Sequence, residues 1–236
     1  MALICDAEES THKPKLFPIM YDNRKIAILF LTSRKGTLSN QIAHSLFDWL
    51  KNVRCESVMP FEDKITTEFI NERGINFIIS YNYTFIIQPE VLHLLPNRVI
   101  NLHISYLPYN RGANPNIWSF IENTPAGVTI HEVDNGIDSG DILLQELIEF
   151  DYDKETLDTS FVKSHERIQD LFCKNWDRIR NGEIKPQKQE NTGTFHLVKE
   201  LDKYREIFDC KDSITVFLEK IHKITNKISL QPGTLL

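Results

Sequence analysis

The chain has 236 residues, of which 41% are hydrophobic and 25% charged, and a formal net charge of −6. Such a length suits one main domain of about 150–200 residues with an appendage, and the composition excludes a disordered or fibrous protein. The acidic balance argues against a large nucleic-acid footprint, which needs clustered Lys and Arg, while leaving room for a local basic pocket.

In chain order, the opening MALICDAEESTHKPK lacks a basic start followed by an apolar core, so residues 1–24 read as a polar leader with no secretory signal. KIAILFL (25–31) is a buried strand, followed by the polar loop SRKGTLSN and a helix to about Leu50. A second strand fits CESVMPF, and DKITTEFINERG fits a helix closed by Gly74. Next come NFIIS, a short helix after Gln88 and Pro89, and the strand RVINLHI. Strands and helices alternating at this spacing predict right-handed crossovers and a doubly wound α/β fold with a mostly parallel sheet.

From Gly127 the pattern changes, because GVTIHEV and DILLQELIEF flank an Asp- and Gly-rich loop with no helix between them. They predict an antiparallel addition to the sheet. A long helix follows over about Lys154 to Arg180, with Leu157, Phe161, Ile168, Leu171, Phe172, Trp176 and Ile179 on one apolar face, and Gly182 ends it. A boundary falls near 186, and the C-terminal residues 187–236 are expected either to dock on the main domain or to form a homodimer contact.

The longest apolar runs, such as IAILFL, fall far short of the ~20 residues that span a bilayer, so no membrane insertion is expected. Cys5, Cys55, Cys173 and Cys210 are widely separated and read as reduced thiols of a cytoplasmic protein. No serine occupies a nucleophile-elbow pattern and no His-rich metal pattern occurs, so neither covalent catalysis nor a metal is expected.

Chemistry concentrates in NLHISYLPYNRGANPNIWSF (101–120). Alternation along a strand points Asn101 and His103 the same way at the carboxyl end of RVINLHI, where open parallel sheets bind ligands. An Asn amide can donate to a developing oxyanion, and a His can take a proton or polarise a carbonyl. The following loop is stiffened by Pro108 and Pro115, hinged at Gly112, and offers the amides of Asn110, Asn114 and Asn116. A catalytic His needs a partner, and HEVDNGIDSGD offers Asp134, Asp138 and Asp141 without its spacing choosing among them.

NLHISYLPYNRG with AGVTIHEVDNGIDSGDIL resembles the signature of the folate-dependent formyltransferases, the family of the glycinamide ribonucleotide and methionyl-tRNA enzymes, over roughly residues 25–185. Asn101, His103, Ser105, Leu107, Pro108, Gly112 and Asp138 match it position by position; Ile104 departs from the usual proline. The resemblance implies a Rossmann-like sheet and formyl transfer from 10-formyltetrahydrofolate to a primary amine. It implies that Asn101 stabilises the oxyanion, His103 polarises the formyl oxygen and moves protons, and Asp138 orients His103 or relays a proton.

The resemblance further implies a folate side formed by Ser80, Tyr81, Asn82, Tyr83, His131, Val133 and Asp134, and an acceptor side formed by Tyr109, Asn110, Arg111, Gly112, Asn114 and Trp118. LPYNRGANPNIWS and the later TGTFH look most like the nucleotide-sugar N-formyltransferases. They imply a dTDP-linked 4-amino-4,6-dideoxysugar destined for surface polysaccharide (O-antigen) as acceptor. The alternatives are another amine, on glycinamide ribonucleotide or methionyl-tRNA, and a non-catalytic folate-binding regulator.

Overall fold

The computed structural model describes residues 26–33, 38–190 and 193–229; the expected leader lies outside them, as do residues 34–37 of the first polar loop. Strands β1 (Ala27–Leu31), β2 (Ser57–Phe61), β3 (Phe77–Tyr81) and β4 (Val99–His103) run parallel in the order β2-β1-β3-β4. The sheet is completed by β6 (Gly127–Glu132) and β7 (Ile142–Leu147), antiparallel beyond β4. Helices α1 (Leu38–Asp48, continuing in a π-helical turn to Val53), α2 (Thr67–Arg73) and α3 (Pro89–Leu94) make the crossovers. Between β4 and β6 lie the short β5 (Arg111–Gly112) and α4 (Pro115–Ile121).

Period-two alternation divides the buried strands between two cores. Ile28, Phe30, Phe77, Ile79, Tyr81, Ile100 and Leu102 face α1 and the long helix α5 (Leu157–Arg180), where Leu171, Phe172 and Trp176 pack. Leu29, Leu31, Ile78 and Val99 face Ile70 and Val91 of α2 and α3. The central strands are thus apolar on both faces, as a covered parallel sheet requires.

Two helices are shorter than the sequence suggests, because capping threonines stop them. Thr66 accepts from Phe69 N ahead of α2, whose far end is closed by Gly74 at φ +61°. Thr156 Oγ1 accepts from Thr159 N at 3.1 Å and Thr159 Oγ1 from Thr156 N at 2.8 Å, so α5 starts at Leu157 rather than near Lys154. Thr156→Ala should cost about 1 kcal/mol in urea unfolding, the usual value of such a cap, and an unchanged midpoint would contradict this reading.

After α5 the chain turns back over the loops at the carboxyl edge of the sheet. Gln187 exchanges backbone hydrogen bonds with Ile142 at the start of β7, and β8 (Phe195–His196) pairs in parallel with β5. A 3-10 segment (Val198–Ile207) and α6 (Ile214–Ser229) follow. Tyr204, Ile214, Phe217 and Ile221 pack with Trp118, Phe120 and Leu157 in a third core. Part of the segment beyond 186 is therefore docked on α4 and α5 through these side chains, while Phe195, Leu197, Val198 and Val216 stay exposed.

Candidate active site

The carboxyl ends of β1, β3 and β4 and the loop after β6 surround an open cavity of about 820 Å³. On β4, Ile100 and Leu102 belong to the core under α5, so Asn101 and His103 project from the opposite face. Register sets Asn101 beside His131 and His103 beside Thr129. Asp138 enters from the loop between β6 and β7 with its backbone left-handed at φ +50°.

These groups form one hydrogen-bonded cluster. Asp138 Oδ2 accepts from Gly112 N at 2.8 Å and Oδ1 from Asn101 Nδ2 at 3.1 Å. His103 Nδ1 lies 3.7 Å from Oδ2, and His131 Nε2 lies 3.5 Å from Oδ1. His103 Nε2 is 3.1 Å from the Asn110 carbonyl, which can only accept, so Nε2 carries the hydrogen and Nδ1 is the basic atom. By the same reasoning His131 Nδ1 donates to the Glu132 carbonyl at 2.7 Å, leaving Nε2 to accept from Asn101 Nδ2 at 3.2 Å.

Electrostatics separates the two main groups. Burial pushes the His103 proton affinity below that of an ordinary imidazole, with Asp138 pulling it back only in part. Burial alone would raise Asp138; the neighbouring histidines and the Gly112 N–H reverse this and hold its carboxyl well below the usual range. A neutral base thus stands beside a permanent carboxylate, a pairing suited to accepting a proton and stabilising the imidazolium that results.

Of the residues expected around the ligands, Ser80, Asn82, Tyr83, His131, Val133 and Asp134 line the cavity on one side, and Gly112 and Asn114 on the other. Tyr81 does not: it follows Ser80 on β3, so it points to the other face, fully buried, with its hydroxyl 2.6 Å from His165 Nδ1. On the acceptor side, Tyr109 and Arg111 also lie off the cavity wall, Arg111 donating from Nε and Nη2 to Gln189. The Asn110 side chain is sealed inside, donating to Thr124 and accepting from Thr194, although its backbone carbonyl orients His103. Trp118 is a core residue stacked on His196 at 3.9 Å.

The cavity extends further than the sequence reading placed it. Phe161 of α5 and Val198, Phe208 and Cys210 of the C-terminal segment wall one end, and Phe85, Ile86 and Ile137 the other. In the sequence Phe161 reads only as part of an apolar helical stripe, and the C-terminal residues carry no local signal beyond TGTFH. Asn116 also lies on the wall, 5% exposed. Among the described residues, no cluster of His, Cys, Asp and Glu is arranged to hold a metal ion, and no helix is long and apolar enough to cross a membrane.

Known proteins identify the family to which this fold belongs. The formyltransferase PseJ from Anoxybacillus kamchatkensis, solved with UDP-4,6-dideoxy-4-formamido-L-AltNAc and tetrahydrofolate, is 36% identical at a TM-score of 0.71, covering 81% of this chain and 96% of that one. Methionyl-tRNA formyltransferase of Fusobacterium nucleatum is 30% identical over 185 residues, 75% of this chain and 58% of that protein. The dTDP-4-amino-4,6-dideoxyglucose formyltransferase of Mycobacterium tuberculosis is 28% identical over 133 residues, 55% of each. The chain spans about half the length of the curated relatives it matches. The formyl transferase family model matches residues 5–172, and the chain belongs to that family.

Proposed function

We propose that this protein transfers a formyl group from 10-formyltetrahydrofolate to the amine of a nucleotide-linked 4-amino-4,6-dideoxysugar, a precursor of surface polysaccharide. The observation that carries this reading is the likeness to PseJ, which extends over nearly all of that chain, a formyltransferase solved with a nucleotide-linked formamido sugar and tetrahydrofolate. The signature implied a dTDP sugar whereas PseJ holds a UDP sugar, so both nucleotides belong in the assay.

In this reading the amine nitrogen attacks the formyl carbon, a C–N bond forms, and the carbonyl oxygen becomes an oxyanion. Asn101 meets that charge with an amide hydrogen. The hydrogen given to Asp138 is held by a carboxylate and is the stronger bond; the one given to His131 joins neutral groups and is the one released to the substrate. His103 takes the surplus amine proton at Nδ1, and Asp138 stabilises the imidazolium. Collapse breaks the bond to N10 of the folate, which regains a proton, and yields the formamide.

Purified protein supplied with 10-formyltetrahydrofolate and dTDP- and UDP-linked 4-amino-4,6-dideoxyhexoses should give a product heavier by one CO, with tetrahydrofolate released in equal amount. A second reading, formylation of methionyl-tRNA, is favoured by the 30% identity to the Fusobacterium enzyme and opposed by the net charge of −6. Product on charged initiator tRNA with none on any amino sugar would replace the first reading with the second.

A further inference from the structure

Gln189 lies 51 residues beyond Asp138 and ties it to the acceptor loop through four hydrogen bonds from one side chain. Its Nε2 donates to the backbone carbonyls of Asp138 at 2.8 Å and Gly140 at 2.7 Å. Its Oε1 accepts from Arg111 Nε at 3.0 Å and Nη2 at 2.7 Å. Both ends of the amide are therefore fully used, and Arg111 immediately precedes the Gly112 whose N–H holds the Asp138 carboxylate.

Asp138 needs such support. A non-glycine residue at φ +50° sits in a sparsely populated region and stays there only when its surroundings over-determine it. Gly112 N fixes its side chain and Gln189 fixes its main chain, one from each side. The segment bearing Gln189 is itself pinned: Gln187 to Ile142 on one flank, Thr194 and His196 to Arg111 and Ala113 on the other. A Cβ at Gly193 would come within 1.9 Å of the Pro108 carbonyl oxygen, so the segment lies directly on the loop that follows β4.

We propose that Gln189 is a positioning residue for formyl transfer, setting the distance between the Asp138 carboxylate and His103 by fixing the Asp138 backbone against Arg111. The inference rests on the formyl-transfer reading for its kinetic consequences, but not for its structural ones. It makes the residues just beyond 186 part of the catalytic architecture, supplied across a long sequence separation.

Two variants separate this role from general stabilisation. Gln189→Met keeps the length and removes every hydrogen bond; Gln189→Glu keeps an acceptor for Arg111 but loses both donors to the Asp138 loop. Both should lower kcat about tenfold or more, with KM for folate and acceptor within about twofold of the parent. A Gln189→Glu enzyme with parental kcat would reduce Gln189 to an anchor for Arg111 and overturn the proposal. A readout without substrate is the NMR titration of His103: releasing Asp138 removes the charge that raises the imidazole, so the midpoint should fall in Gln189→Met. An unmoved midpoint would overturn the proposal even if formyl transfer is confirmed, whereas a fallen midpoint with no turnover in the parent would sustain it and refute the substrate reading.

Discussion

Replacing Asp138 with asparagine should lower kcat for formyl transfer by about 10²- to 10⁴-fold, the usual contribution of a positioned acid–base pair, while the protein remains folded. Asparagine is nearly the same size and tolerates the left-handed backbone that Asp138 adopts. With its oxygen toward Gly112 N, the new amide nitrogen faces Asn101 Nδ2, and two donors meet where a donor met an acceptor. Asn101 must flip, which withdraws its hydrogens from the oxyanion position. His103 at the same time loses the charge that raises its basicity, so what activity remains should persist to lower pH than in the parent. Steady-state kinetics and thermal unfolding measured together decide the matter. Parental turnover would remove Asp138 from the chemistry whatever the acceptor.

The sequence was most informative where structure is local. Alternation in KIAILFL and RVINLHI sorted side chains between two faces, and on β4 the same rule put Asn101 and His103 together. Applied to β3 it would also have separated Ser80 from Tyr81, which the family pattern had grouped as one folate segment; Tyr81 belongs to the α5 core. Spacing could not choose among Asp134, Asp138 and Asp141, and the structure shows why: the choice depends on a loop that folds back onto Gly112, 26 residues away. The acceptor loop was the least legible part. Arg111 and Asn110 look free to bind a ligand in sequence, yet Gln189 and Thr194, 78 and 84 residues distant, take up their polar groups. Partners at that separation leave no periodicity in the sequence.

Acidification from pH 7 to about 4 should remove ~3 kcal/mol of stability through one buried histidine outside the cavity wall. His165 is 1% exposed, its Nδ1 hydrogen-bonded to the Tyr81 hydroxyl and its ring edge-on to Phe161. Gln169 donates to the same hydroxyl at 3.4 Å, which turns the phenolic hydrogen toward His165 and leaves Nε2 to carry the ring hydrogen without a partner among the described residues. Among the described residues no carboxylate lies in ion-pair range, so burial pushes the imidazole from the ordinary 6.5 to about 4. A folded value below the unfolded one means that the unfolded chain binds more protons in this interval. Stability from this group is therefore complete above about pH 6.5 and is lost as pH falls toward 4, at about 1.4 kcal/mol per pH unit. Asp138 loses its contribution only below its ordinary 3.8, so the two windows are distinct. His103 is also depressed and shares the higher window, which is why a variant is needed to isolate His165. His165→Leu leaves the Tyr81 hydroxyl short of an acceptor and should be less stable than the parent at pH 7. Its urea unfolding free energy should nevertheless fall by about 2 kcal/mol less than the parent's between pH 7 and pH 5, so the two curves converge on acidification. Parallel curves would show that His165 carries no proton-linked stability, and the loss would then belong to His103.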